Sequence, residues 1–257
     1  MALCCINFGG SSIGQMASMN VIVPEGVKGP FATFYLLHGL SDDHTAWQRR
    51  TSIERYVEGL PLVVVMPATG RGWYTNAANW EVLRYEDHIL QDVRGFVERT
   101  FPVRKERSGR AIGGLSMGGY GALKIGLKHP EMFCSINSHS GAVRGPHWSD
   151  TEKFARENPG AMAEFRAVFG PHGRGSHNDP VALAETCPKT RRPKILLDCG
   201  KSDFLLEDNR FFHKHLLKLK YPHIYREFPG DHNWGYWDLH VQEALAFHCE
   251  NMGIKRG

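Results

Sequence analysis

The residues best placed to do chemistry centre on one serine. Ser116 lies in the nonapeptide GGLSMGGYG (113–121), which packs five glycines around it. Gly114-Leu115-Ser116-Met117-Gly118 has the spacing G-x-S-x-G. Small residues two before and two after the serine let a strand turn sharply into a helix, leaving the hydroxyl exposed on a strained backbone. The positive end of the following helix then points at the reacting centre. A flexible linker is the competing explanation for so much glycine, and the flanks argue against it. Arg110-Ala111-Ile112 is short and apolar, and residues 122–128 (ALKIGLK) carry apolar side chains at helical spacing before His129-Pro130.

A serine hydroxyl is a weak nucleophile near neutral pH and needs an adjacent base held by a third group. Behind an elbow of this kind the chain order is serine, acid, histidine. Of the late histidines, His213 and His215 fall in a helical pattern, His223 opens a strand, and His240 and His248 sit inside the last helix pattern. His232 lies in a loop between a late strand and the final helix, which makes it the expected base, with His240 next in line. For the acid, Asp198 belongs to a strand, where a carboxylate would be buried without an obvious partner. Asp208 sits in a first helical turn, where it offsets the helix dipole. Asp203, in the loop between them, is the expected acid.

Stabilising a tetrahedral oxyanion takes two preorganised N–H donors, each worth about 3 kcal/mol of barrier. One is expected from Met117, the residue after the nucleophile. The other is expected from Leu40, after the strand that ends in Leu36-Leu37-His38-Gly39, with Gly39 or Ser41 one residue away. His38 is expected to brace the loop rather than to ionise.

These groups need a frame to hold them. Short runs rich in β-branched or aromatic residues predict strands at 17–24, 31–37, 62–66, 110–115, 135–138, 195–199 and 223–228. Helical patterns occupy 85–100, 117–128, 207–219 and 236–251. The alternation predicts an α/β fold with a mostly parallel sheet covered on both faces. Residues 144–192 break the rhythm, being rich in Gly, Pro, His and charge, with one helical stretch near 159–169. They read as a lid-like insertion over the strand ends, within one domain spanning 1–257.

Composition narrows the function classes. The 257 residues carry a formal charge of +4, with basic residues scattered and no basic stripe interleaved with aromatics, so nucleic acid is not an expected partner. No run of eighteen apolar residues exists to span a membrane, and the first ten residues do not read as a signal peptide. The six cysteines form no CxxC pair and no metal-type spacing. A reducing, cytoplasmic setting follows as the expectation.

With LLHGLSDDHTAW (36–47), VVMP (64–67), GWYT (72–75), the elbow, CGKSDFL (199–205) and HNW (232–234) in view, the chain resembles the esterase branch of the α/β-hydrolases. Bacterial tributyrin esterases are the nearest likeness. Esterase D (S-formylglutathione hydrolase), feruloyl and acetylxylan esterases and mycolyltransferases are more distant. The likeness runs from about residue 20 to the final helix. It implies a serine carboxylesterase with Ser116, Asp203 and His232 as triad, Leu40 and Met117 as oxyanion donors, no metal and no cofactor. It also implies a preference for short acyl chains and a homo-oligomer acting on a small-molecule ester. Trp47, Trp73, Tyr74 and Trp234, in or near loops at the active edge, are expected to wall the substrate pocket, with packing as the alternative.

Three other readings compete. A specialised esterase would act on acylated polysaccharide or on S-formylglutathione. A catalytically inactive scaffold would serve binding alone, although every expected triad element is present. A metal enzyme would need the histidines, but His213 and His215 are two apart and would leave a helix on different faces. His172 and His177 have no cysteine or carboxylate at ligand spacing.

Overall fold

In the computed structural model, which describes residues 1–157 and 159–254 (the side chains of 153 and 154 excepted), eight strands form one sheet. They are β1 (Ala2–Gly10), β2 (Gln15–Val23), β3 (Ala32–Leu37), β4 (Leu62–Pro67), β5 (Arg110–Leu115), β6 (Ser135–His139), β7 (Lys194–Gly200) and β8 (His223–Phe228). Strands β3 to β6 are buried along their whole length, as strands covered on both faces must be. The order across the sheet is β1-β2-β4-β3-β5-β6-β7-β8. The first two pairings, β1 with β2 and β2 with β4, are antiparallel, and all the others are parallel.

Strand periodicity divides the core into two layers. Val63, Val65, Tyr35, Leu37 and Ile112 point to one side, where the helix Met117–Lys128 packs through Tyr120, Leu123 and Leu127. Leu62, Val64, Met66, Phe34 and Leu36 point to the other, against Trp237, Val241 and Leu245 of the helix Trp234–Asn251. Ser116 therefore leaves the middle of the sheet between two packed layers, on strand β5 with β3 and β6 as its neighbours.

Besides short helices at Ala46–Arg50, Ile53–Tyr56, Gly145–Trp148 and Glu152–Glu157, sequence and structure differ in three larger ways. β1 was not expected; it is an edge strand whose hairpin partner β2 supplies its pairing. The expected helix at 85–100 is broken, running as α-helix at Tyr85–Asp87, as π-helix at His88–Val93 and as α-helix again at Arg94–Thr100. Residues 144–192, the stretch between β6 and β7, include a helix at Pro159–Phe169 and a further one at Pro180–Thr186. Phe165 and Phe169 pack on Trp73, with ring centroids 5.1 and 5.5 Å apart, so much of this insertion is anchored in the core. His147 Nε2 to Asp179 Oδ2, at 2.9 Å, ties the start of the insertion to the residue that caps its helix Pro180–Thr186. Among the described residues no helix is long and apolar enough to cross a membrane.

Candidate active site

Ser116 sits at the junction of β5 and its helix with φ 51° and ψ −115°, a conformation that side-chain-bearing residues rarely adopt. Neighbouring backbone holds it there: Ser116 N–H donates to His139 O at 2.9 Å, and Ala142 N–H donates to Ser116 O at 3.0 Å. The flanking glycines are dictated by close approach. A Cβ on Gly114 would lie 2.5 Å from Leu37 O, and one on Gly118 would lie 2.6 Å from His38 O. Neither contact is physically tolerable, so the elbow can press against the end of β3 only with glycine at both positions.

The structure brings the other two expected residues to this serine. His232, in the loop between β8 and the last helix, places Nε2 3.0 Å from Ser116 Oγ. Its Nδ1 faces Asp203 Oδ2 at 2.8 Å. Asn233 fixes the loop's exit by capping the helix, its side chain accepting Tyr236 N–H at 3.0 Å. Asp203 lies in the loop after β7, where its own N–H donates to Gly200 O and its Oδ1 accepts Leu205 N–H at 2.8 Å. Burial pushes the Asp203 carboxyl up, but hydrogen bonds from His232, Leu205 N–H and Ser140 outweigh this and hold it below its usual value.

Next to the elbow, residues 38–42 form a braced loop. His38 is buried. Thr69 N–H donates to its Nε2 at 3.1 Å, which leaves the proton on Nδ1 to donate to Gly39 O at 2.7 Å. Burial lowers its pKa to about 4, so the ring is neutral, as a brace should be. Burial pushes the neighbouring Asp42 carboxyl up, an effect the Gly39 backbone only partly offsets. Gly39, Leu40 and Ser41 all line the cleft beside Ser116. Met117 opens its helix, so its N–H has no partner within the helix ladder.

The cleft has a volume of about 640 Å³ and is lined by Leu40, Arg50, Ser116, Phe204, His232 and Trp234, among others. A groove of about 720 Å³ between Tyr56 and Leu245 is slightly larger but has no serine or histidine in its lining. Of the four aromatics expected to wall the pocket, Trp234 does so. Trp47, Trp73 and Tyr74 do not: each is at most 2% exposed and absent from the cleft. Planar side chains beside strand ends are large enough to fill the space behind a loop, and two of these three hold the start of the 38–42 loop and the strand end before it from that side. Trp47 Nε1–H donates to Leu37 O at 3.0 Å and Tyr74 OH donates to His38 O at 2.9 Å. Residues 144–192 likewise supply none of the cleft's lining among the described residues.

Other residues of the site were not read from the sequence. Phe204 is 75% exposed and its ring lies 4.5 Å from that of His232. Trp237 meets His232 edge-on at 4.9 Å, and Ser140 stands behind Asp203. Only the G-K-S-D-F run hinted at Phe204. Asp198 also departs from expectation, since it is buried with two partners, His139 Nδ1 at 2.6 Å and Tyr236 OH at 3.0 Å. Among the described residues no group of three or more His, Cys, Asp or Glu could hold a metal ion. His213 pairs with His223 at 2.8 Å, while His215 faces Val181 O.

An eight-stranded, mostly parallel sheet with a strained serine between strand and helix, backed by histidine and aspartate from later loops, defines an α/β-hydrolase. The family profile described as "Putative esterase" matches residues 10–248, and the chain belongs to that family. It is 30% identical to an acetyl esterase of Caldicellulosiruptor saccharolyticus over 84% of this chain and 82% of that one. It is also 30% identical to an esterase of Mycobacterium tuberculosis, over 86% of this chain but only 54% of that longer protein. Two solved structures from Staphylococcus aureus are each 33% identical to it. The fluorophosphonate-binding serine hydrolase FphF has a TM-score of 0.85, and the S-formylglutathione hydrolase FrmB has one of 0.81. Both cover 96% of this chain, and this chain covers 98% of each. The protein is a serine-dependent carboxylic ester hydrolase.

Proposed function

We propose that the protein hydrolyses short-chain carboxylic esters through an acyl-Ser116 intermediate, with His232 as base and Asp203 as the acid that orients it. The observation that carries this reading is the unbroken line of hydrogen bonds from Asp203 through His232 to Ser116, ending in an open cleft. Ser116 Oγ attacks the acyl carbon as His232 Nε2 takes the hydroxyl proton. Electrons displaced from the carbonyl gather on its oxygen, which the Leu40 and Met117 N–H groups receive. Collapse of the intermediate breaks the bond to the alcohol, which leaves with the proton from Nε2. Water, deprotonated by the same nitrogen, then releases the acid and restores Ser116. Asp203 stabilises the imidazolium throughout without itself taking a proton.

One α/β unit with residues 144–192 as an insertion, a cytoplasmic setting and self-association belong to the same reading, and light scattering checks the last. Acetyl and butyryl p-nitrophenyl esters should turn over, with a sharp fall for longer acyl chains. A fluorophosphonate should label one serine stoichiometrically. Ser116→Ala should abolish both while leaving the circular dichroism spectrum unchanged; full turnover in that variant would refute the mechanism. S-formylglutathione and feruloylated or acetylated saccharides belong in the same panel. Specificity constants highest for one of these would favour the specialised esterase, and FrmB makes the thioester the first to include.

A further inference from the structure

The four residues after the start of the β6 exit, 139–142, touch both halves of the machinery. His139 O and Ala142 N–H grip Ser116 from its two backbone sides, at 2.9 and 3.0 Å. Between them, Ser140 N–H donates to Asp198 O at 2.8 Å and ties the segment to β7. Gly141 O accepts Asn209 Nδ2–H at 3.0 Å and ties it to the helix Leu206–Lys218. The Ser140 side chain is fully buried. Trp237 Nε1–H donates to its Oγ at 3.3 Å, and the Cys199 thiol and the Asp203 carboxylate lie beside it. A hydroxyl has one proton to give and two lone pairs to receive, and this set of neighbours can use all three.

The backbone adds an independent argument. Ser140 has φ 47°, in the left-handed region that glycine enters freely and serine does not. If the position had only to turn the chain, glycine would serve better. A buried serine on such a backbone points to a need for its hydroxyl.

We propose that Ser140 is a positioning residue for Asp203: its hydroxyl fixes the carboxylate in the orientation His232 requires, and its segment couples that acid to the Ser116 elbow. The proposal rests on the triad reading above. Trp237, which packs edge-on against His232 and donates to Ser140, belongs to the same support. The titratable groups near Asp203 are His232, Cys199, Asp198 and Tyr236, and changing Ser140 removes none of them.

Ser140→Gly tests this directly, because it deletes the hydroxyl while relieving the backbone. The thermal midpoint should stay level or rise, and KM for butyryl p-nitrophenyl ester should stay within twofold. Turnover and the rate of fluorophosphonate labelling should both fall about tenfold. With one donor fewer, the Asp203 carboxylate becomes a stronger acceptor for the imidazolium, so the acidic limb of the kcat/KM profile should move to higher pH. Ser140→Ala should show the same kinetic signature with a lower thermal midpoint. An unchanged kcat and acidic limb in Ser140→Gly would overturn the proposal, as would a loss of activity that only tracks a loss of folded protein. Ser116→Ala, assayed alongside, separates the two readings. If it is inactive while Ser140→Gly is unimpaired, the triad stands and the positioning role falls. If it is active, the triad itself fails.

Discussion

Two aspartate–histidine pairs lie close together in this molecule, and only one of them reaches a serine in an open cleft. Asp203 and His232 meet at 2.8 Å, and the far nitrogen of His232 faces a serine in a cleft. Asp198 and His139 meet at 2.6 Å, five residues earlier on the acid side, with both side chains at most 1% exposed. The far nitrogen of His139 has no hydrogen-bond partner among the described residues. Residue types and pair geometry are nearly the same, so neither explains the difference. What separates the pairs is the group opposite Nε2 and its access to solvent. The second pair also uses its carboxylate differently, sharing it with Tyr236 OH across the sheet–helix boundary.

The contrast predicts opposite outcomes for the same substitution. Asp203→Asn should cut kcat by roughly 10³- to 10⁴-fold, because an amide presents the wrong partner to Nδ1 and favours the wrong tautomer of His232. Its thermal midpoint should change little. Steady-state kinetics beside a melting curve would show this, and a loss of less than tenfold would erase the distinction between the pairs. Asp198→Asn should do the reverse. A neutral amide cannot accept from both His139 and Tyr236 as a carboxylate does, and a buried charge-assisted hydrogen bond is worth about 2 kcal/mol. Urea denaturation should register a loss of that order, with kcat of the folded fraction within about threefold of the parent. A collapse of kcat at full stability would instead make the second pair part of the machinery.

The most gradual effect, spread over several pH units, concerns buried histidines more generally. Burial lowers the pKa of His38 to about 4, and burial lowers that of His248 to about 3. In an unfolded chain both would protonate below about pH 6.5. Between that pH and the folded values the unfolded state binds more protons. Their contribution to stability is therefore complete above about pH 6.5 and is lost progressively as pH falls toward 4 and then 3. For His38 the full shift corresponds to about 3 kcal/mol. The urea midpoint should decline from pH 7 to pH 4; a midpoint that rose on acidification would contradict the burial of these rings.

Much of the site was legible because its local chemistry leaves marks in sequence. An elbow needs small residues at two fixed offsets, so Gly114 and Gly118 announce Ser116. A loop between strand and helix is visible as a break in periodicity, which singled out His232 and Asp203. Supporting residues leave no such mark. Ser140 looks like any serine before a glycine, and its partners are 59, 63 and 97 residues away along the chain, at Cys199, Asp203 and Trp237. Asp198 was set aside because no partner was apparent, yet its partners come from β6 and the last helix. Trp47 and Tyr74 lie behind the 38–42 loop rather than in the cleft, and Trp73 is buried against Tyr120, Phe165 and Phe169. Sequence distance says that a ring is close, not which way it faces.

The fold divides in the same way. The strands β3, β4 and β7 are recognisable since burial on both faces demands nearly continuous apolar runs. β1, with a half-exposed pattern and two terminal glycines, becomes a strand only because β2 offers it an antiparallel partner. The sequence by itself determined the class of reaction and singled out Ser116, Asp203 and His232, because an elbow and a loop between strand and helix each leave a mark in a few adjacent residues. Tertiary structure alone decided that Asp198 pairs with His139 away from the cleft, and which aromatics brace the loop rather than line the cleft. Those are questions of direction across packed layers, and direction is settled only when the layers meet.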